Sequence, residues 1–130
     1  MTSDRAPALR RLVHRVTRTT EDLHSDSLKQ ASTEQGAEHI RDLVPRTLAT
    51  VVGEVRSVTL RPRSEVPALV VELWDGSDTL HLIWLGRRRI PGIAPGVSLR
   101  ATGRVSRHKH VTTIYNPAYE ILGRLEGPHA

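Results

Sequence analysis

At 130 residues the chain can hold one domain with an appendage, and having no Cys it can build neither a disulfide framework nor a thiolate zinc site. No apolar run approaches the roughly 20 residues of a bilayer span, and charges stand where a secretory core would be, so the chain reads as soluble and cytoplasmic. The net charge of +5 comes from 17 Arg and 2 Lys and falls wholly in residues 46–130, where twelve basic residues meet seven acidic ones, while residues 1–45 balance at seven each. A surplus confined to one domain is the electrostatic footprint of a polyanion, nucleic acid above all.

From Pro7 to Arg18, Leu9, Leu12, Val13 and Val16 recur at i, i+3, i+4 and i+7, which predicts an amphipathic helix. Its other face carries Arg10, Arg11, His14, Arg15 and Arg18, as a solvated helix face ordinarily does. Thr19-Thr20-Glu21-Asp22 supplies capping and acidic first-turn residues for a second helix through Leu23, Leu28 and Ala31 toward Gly36. Pro45 ends helical structure. Residues 1–39 are therefore expected to be a helical extension of one or two helices, 40–122 a β domain and 123–130 a fraying tail.

A first strand is predicted over Leu48–Leu60, with Ala49, Val51, Gly53 and Val55 on one parity and Thr50, Val52, Glu54 and Arg56 on the other. Gly53 suggests a bend or bulge. After the Pro-rich loop 61–67 come two apolar arms, Ala68–Trp74 and Thr79–Gly86, joined across Asp75-Gly76, whose residue types supply the positive φ angles of a tight hairpin. Glu72 assigns Val70, Glu72 and Trp74 outward, and the return arm then points Leu80, Leu82 and Trp84 inward and His81, Ile83 and Leu85 outward. The stretch Arg87–Gly96 has room for one short turn of helix. A fourth strand over Val97–Ser106 alternates cleanly, with Ser98, Arg100, Thr102 and Arg104 outward. A fifth runs through Val111–Tyr115, breaks at Asn116-Pro117 and resumes at Tyr119–Leu122.

Five short strands, glycines at matched places in the first and fourth, and a turn before the fourth suggest a mainly β, five-stranded Greek-key barrel. The pieces Val51-Val52-Gly53-Glu54-Val55, Leu73-Trp74-Asp75-Gly76-Ser77, Pro95-Gly96, Ala101-Thr102-Gly103-Arg104-Val105 and Tyr115-Asn116-Pro117 resemble, in order and spacing, the OB-fold family of nucleic-acid-binding domains. The resemblance spans residues 40–122 and is to the anticodon-binding and RecG-wedge type, and to small stand-alone bacterial OB proteins. It implies binding of single strands or RNA loops across strands two and three, between the loops joining strands one to two and four to five.

Here those loops hold Arg61 and Arg63 on one side and Arg107, His108, Lys109 and His110 on the other, cations on both banks of a phosphate-tracking groove. On the face between them the resemblance implies Trp74 as the stacking residue, joined by Tyr115, with His81 also outward. Arg56, Arg100 and Arg104 offset Glu54 and Glu72, and Arg87 and Arg88 are secondary phosphate contacts. With no Phe and four other aromatic residues, stacking is expected to be limited.

Other constellations reduce to simpler readings. Asp75 and Asp78 belong to a turn, where Asp bonds its own backbone. His108 and His110 lack a third metal ligand. Gly86-Arg87-Arg88-Arg89 lacks the Gly-Lys-Ser/Thr end of a phosphate loop. No nucleophile has a base, so a non-enzymatic binding module without metal or cofactor is expected, its partner single-stranded DNA or RNA or structured RNA. The alternative is a protein-interaction adaptor, or self-association, through the 7–18 helix. A helix lying on anionic membrane ranks last, since its apolar stripe is short.

Overall fold

The inward parity of the hairpin, Leu69, Val71 and Leu73 on one arm and Leu80, Leu82 and Trp84 on the other, is buried in one apolar cluster in the computed structural model. The structure describes residues 5–34, 36–61 and 65–124, of which residues 5–19 are described by backbone alone. A helix α1 (Arg5–Glu34) and a 3-10 turn at Ile40–Asp42 precede six strands: β1 (Leu48–Arg61), β2 (Ala68–Trp74), β3 (Thr79–Leu85), β4 (Val97–His108), β5 (Val111–Tyr115) and β6 (Ala118–Arg124).

The long β1 pairs with β4 along Leu48–Glu54 and with β2 along Glu54–Arg61. From β2 the hydrogen bonding passes to β3, then through a short parallel match to β5, then to β4, and so returns to β1 as a ring. Strands β5 and β6 are the two halves of the expected fifth strand, separated at Asn116-Pro117 and both laid along β4. Asn116 takes φ +49, a left-handed value Asn tolerates, and its Oδ1 accepts the Leu85 N–H at 2.9 Å. No helix among the described residues is long and apolar enough to cross a membrane.

Four sequence expectations change. A single helix runs through Thr19-Thr20-Glu21-Asp22, with no break where a second helix was expected. Capping types are only mildly unfavourable inside a helix, and neither Gly nor Pro forces an interruption. The apolar stripe Leu9, Leu12, Val13 and Val16 and its basic counter-face lie in the part whose side chains are outside the described residues. The bulge lies between Val55 and Ser57, not at Gly53, and it makes Arg56 an extra outward residue and returns Val58 to the core. Gly53 answers a different need: a Cβ there would stand 2.7 Å from the Trp74 carbonyl oxygen. Between β3 and β4 the expected turn of helix is two hydrogen-bonded turns, Ile90 to Ile93 and Ala94 to Val97, and Ile90 and Ile93 are buried in the core cluster. Finally, β6 runs through Gly123 to Arg124, where fraying was expected, and residues 125–130 lie outside the described residues.

The hairpin turn proves to be the anchorage of the N-terminal segment. Only Gly76 has positive φ, at +89°, and the connection spans Asp75 to Asp78. Asp75 is fully buried. Its Oδ1 accepts from the Ser77 N–H, the Ser77 hydroxyl and the Asp78 N–H, and its Oδ2 accepts from the Ile40 N–H at 2.7 Å. The local bonds are those expected of a turn Asp, and the bond to Ile40 reaches across the fold. Ser77 Oγ also accepts the Arg41 N–H at 3.1 Å. Against Gly76 packs α1: Ser25 donates its hydroxyl to the Gly76 carbonyl, and a Cβ on Gly76 would stand 2.2 Å from the Ser25 carbonyl oxygen. Further along α1, buried Leu28 and half-buried Ala31 face Val52 and Gly53 across a small cleft. Burying a Leu side chain stabilises by about 2 kcal/mol, so this patch and the turn together hold the helix.

Candidate nucleic-acid interface

Strand register orders the outward residues into rows that cross the sheet. One row is Thr59, Val70, Ile83 and Tyr115, on β1, β2, β3 and β5, and the next is Ser57, Glu72, His81 and Thr113. The third, at the Asp75 end, pairs Glu54 with Trp74 and Trp74 with Thr79. Val70 and Ile83 are only 5% and 8% exposed although they point outward, so the middle of this face is a low apolar floor between larger neighbours. In the adjacent row His81 Nε2 lies 3.9 Å from Glu72 Oε2.

Trp74 is outward and half-buried, as the alternation required, but its ring already has neighbours. The bulge at Arg56 lays that guanidinium 3.8 Å from the Trp74 ring centre, a cation–π contact. His24 of α1 brings its ring to 5.2 Å from the indole, and its Nε2 lies 3.1 Å from Glu54 Oε2. Sequence reasoning missed His24: its one signal, a His on a polar helix face thirty residues before Glu54, says nothing about what it meets. Tyr115 is 51% exposed at the far end of the apolar row. Trp84 is in the core, donates its Nε1–H to the Pro117 carbonyl at 3.2 Å and meets Tyr119 edge-on.

The cations named from the sequence divide into groups. Arg61 ends β1 opposite Ala68, which pairs with Leu85, and the Gly86 N–H bonds the Pro67 carbonyl, so Arg61 and the exposed Arg87 and Arg88 belong to one end of the β2–β3 face. Arg63 lies outside the described residues. Lys109 and His110 form the β4–β5 turn with φ +50 and +67, toward the other end, so His108 and His110 are not two residues of one extended strand. Arg100 is held to Glu120 of β6, away from this face. Arg104 and Arg107 line a cleft of about 420 Å³ beyond Tyr115, together with Pro45 and Arg46. Arg46 was not among the sequence candidates, because nothing local links a residue after Pro45 with positions 104–115.

No protein-family model and no curated protein matches this chain. Its fold is similar to that of a domain of replication protein A from Methanococcus maripaludis, at 16% identity and TM-score 0.57, over 67% of this chain and 96% of that one. It is also similar to part of RecG in its complex with a three-way DNA junction, at 21% identity and TM-score 0.52, over 67% of this chain and 12% of RecG. The ring of strands, its order and these likenesses together give the chain an OB-type fold.

Proposed function

We propose that this chain is a non-catalytic binding module for single-stranded nucleic acid, built on a small OB barrel formed by residues 40–122. The observation that carries the reading is the pair Trp74 and Arg56 on the outward face, an indole beside a guanidinium, set across the Glu72–His81 row from the apolar row that ends in Tyr115. Bases stack on such rings at roughly 1–3 kcal/mol each, while cations at both ends of the face hold phosphates. The two neighbouring folds add support: one belongs to replication protein A and the other to a protein bound to DNA. By strand spacing, Trp74 and Tyr115 are about 16 Å apart, roughly five stacked nucleotides, which lies within the range for one OB fold.

Fluorescence anisotropy with labelled single-stranded DNA and RNA, at two salt concentrations, tests the proposal. Binding that weakens with salt, and that Trp74→Ala lowers by about 5- to 150-fold, is the expected result. No binding at low salt, or binding indifferent to salt, overturns it.

A further inference from the structure

We propose that the bound strand leaves the β2–β3 face past Tyr115 and enters the cleft between Arg46, Arg104 and Arg107, which clamps its phosphodiester backbone. This inference rests on the reading above and gives the strand a route. The row Val70, Ile83, Tyr115 points across β5 toward β4, and since Val105 pairs with Ile114, the next outward position on β4 is Arg104. Tyr115 lines both the face and the cleft. Among the described residues, none of the three arginines is paired with a carboxylate; Arg107 donates to the Leu43 carbonyl at 3.4 Å, which orients it.

Arg46 is the least expected member. Val44-Pro45-Arg46-Thr47 is a turn closed by the Thr47 N–H on the Val44 carbonyl at 3.3 Å, with Pro second and a left-handed third residue at φ +71. That third position favours Gly or Asn, because a side chain there opposes the backbone. Here it holds Arg. The turn is pinned to β4 on both sides, through the Arg46 N–H to the Val105 carbonyl at 2.7 Å and the Val105 N–H to the Thr47 carbonyl at 2.8 Å. A disfavoured conformation fixed by two cross-strand bonds thus keeps a long cation in the cleft beside Arg104. Three arginines without carboxylate partners, lining one cleft together with an exposed phenol, suit an oligoanion with stackable bases.

The test compares wild type, Arg46→Gln/Arg104→Gln and Trp74→Ala for a fluorescein-labelled 15-nucleotide oligothymidylate between 50 and 200 mM salt. Each phosphate that a substitution leaves without its cation lowers the slope of log K against log salt by about 0.7, so the slope of the double variant is expected to fall by about 1.4. Over that fourfold change in salt, the wild-type advantage over the double variant then shrinks about sevenfold. Trp74→Ala is expected to weaken binding with its slope unchanged. Arg104→Gln alone, whose site carries no turn strain, is expected to lower the slope by about 0.7 and serves should the double variant unfold by circular dichroism. Wild-type affinity and slope in a folded arginine variant overturn the route while leaving the binding function intact. Failure of the wild type to bind overturns both.

Discussion

Gly76→Ala tests whether the hairpin turn anchors α1. The added Cβ would stand 2.2 Å from the Ser25 carbonyl oxygen, on backbone at φ +89 that disfavours any side chain. The φ penalty alone is about 1–2 kcal/mol. Relieving the overlap needs a shift of about an ångström at the helix, which removes the Ser25 hydrogen bond, about 1 kcal/mol, and loosens buried Leu28, about 2 kcal/mol. The expected total is about 4–5 kcal/mol, a large part of the stability of a small domain. Urea unfolding followed by circular dichroism measures it, and a double-mutant cycle with Leu28→Ala identifies its source. In the wild type Leu28→Ala is expected to cost about 2 kcal/mol, and in the Gly76→Ala background less than about 1 kcal/mol, because the helix has already left its seat. Additive costs, or a Gly76→Ala cost of only about 1 kcal/mol, would refute the anchoring argument.

Two further outcomes follow from buried contacts. Asp75→Asn keeps one oxygen for the turn N–H groups but sets an amide NH₂ against the Ile40 N–H, and is expected to cost about 2–3 kcal/mol, with Asp75→Ala costing more; chemical denaturation checks both. Gly103→Ala places a Cβ 2.5 Å from Ile114 Cγ2 inside the ring, so the thermal midpoint should fall by the equivalent of about 1–3 kcal/mol. Ile114→Leu, which removes that methyl branch, should restore part of that stability.

What could be read from the sequence was periodic. Alternation placed Leu69 to Leu73, Leu80 to Trp84 and Val97 to Val105 on their correct faces, because a half-buried sheet allows only one parity inside. The basic loops and the outward Trp74 came from the same logic joined to a family resemblance. Contacts between distant segments were not legible. Asp75 read as a local turn residue because Asp makes local bonds at turns; its bond to Ile40, 35 positions away, leaves no local mark. Thr19-Thr20-Glu21-Asp22 looked like a cap because those residue types serve caps, yet an uninterrupted helix can carry them. Arg46 joins Arg104 and Arg107 only once the ring has closed and the Pro45 turn is pinned to β4.

On the binding reading proposed above, the contact between His24 and Trp74 makes that side chain and a stacked base competitors for one indole. A base that takes the place of His24 releases that side chain and its contact with Glu54 on β1. By thermodynamic linkage the trade is reciprocal: on that reading a stacked base weakens the His24 contact by the same factor by which that contact weakens stacking. On that reading His24 of α1 sets the affinity of the face it borders.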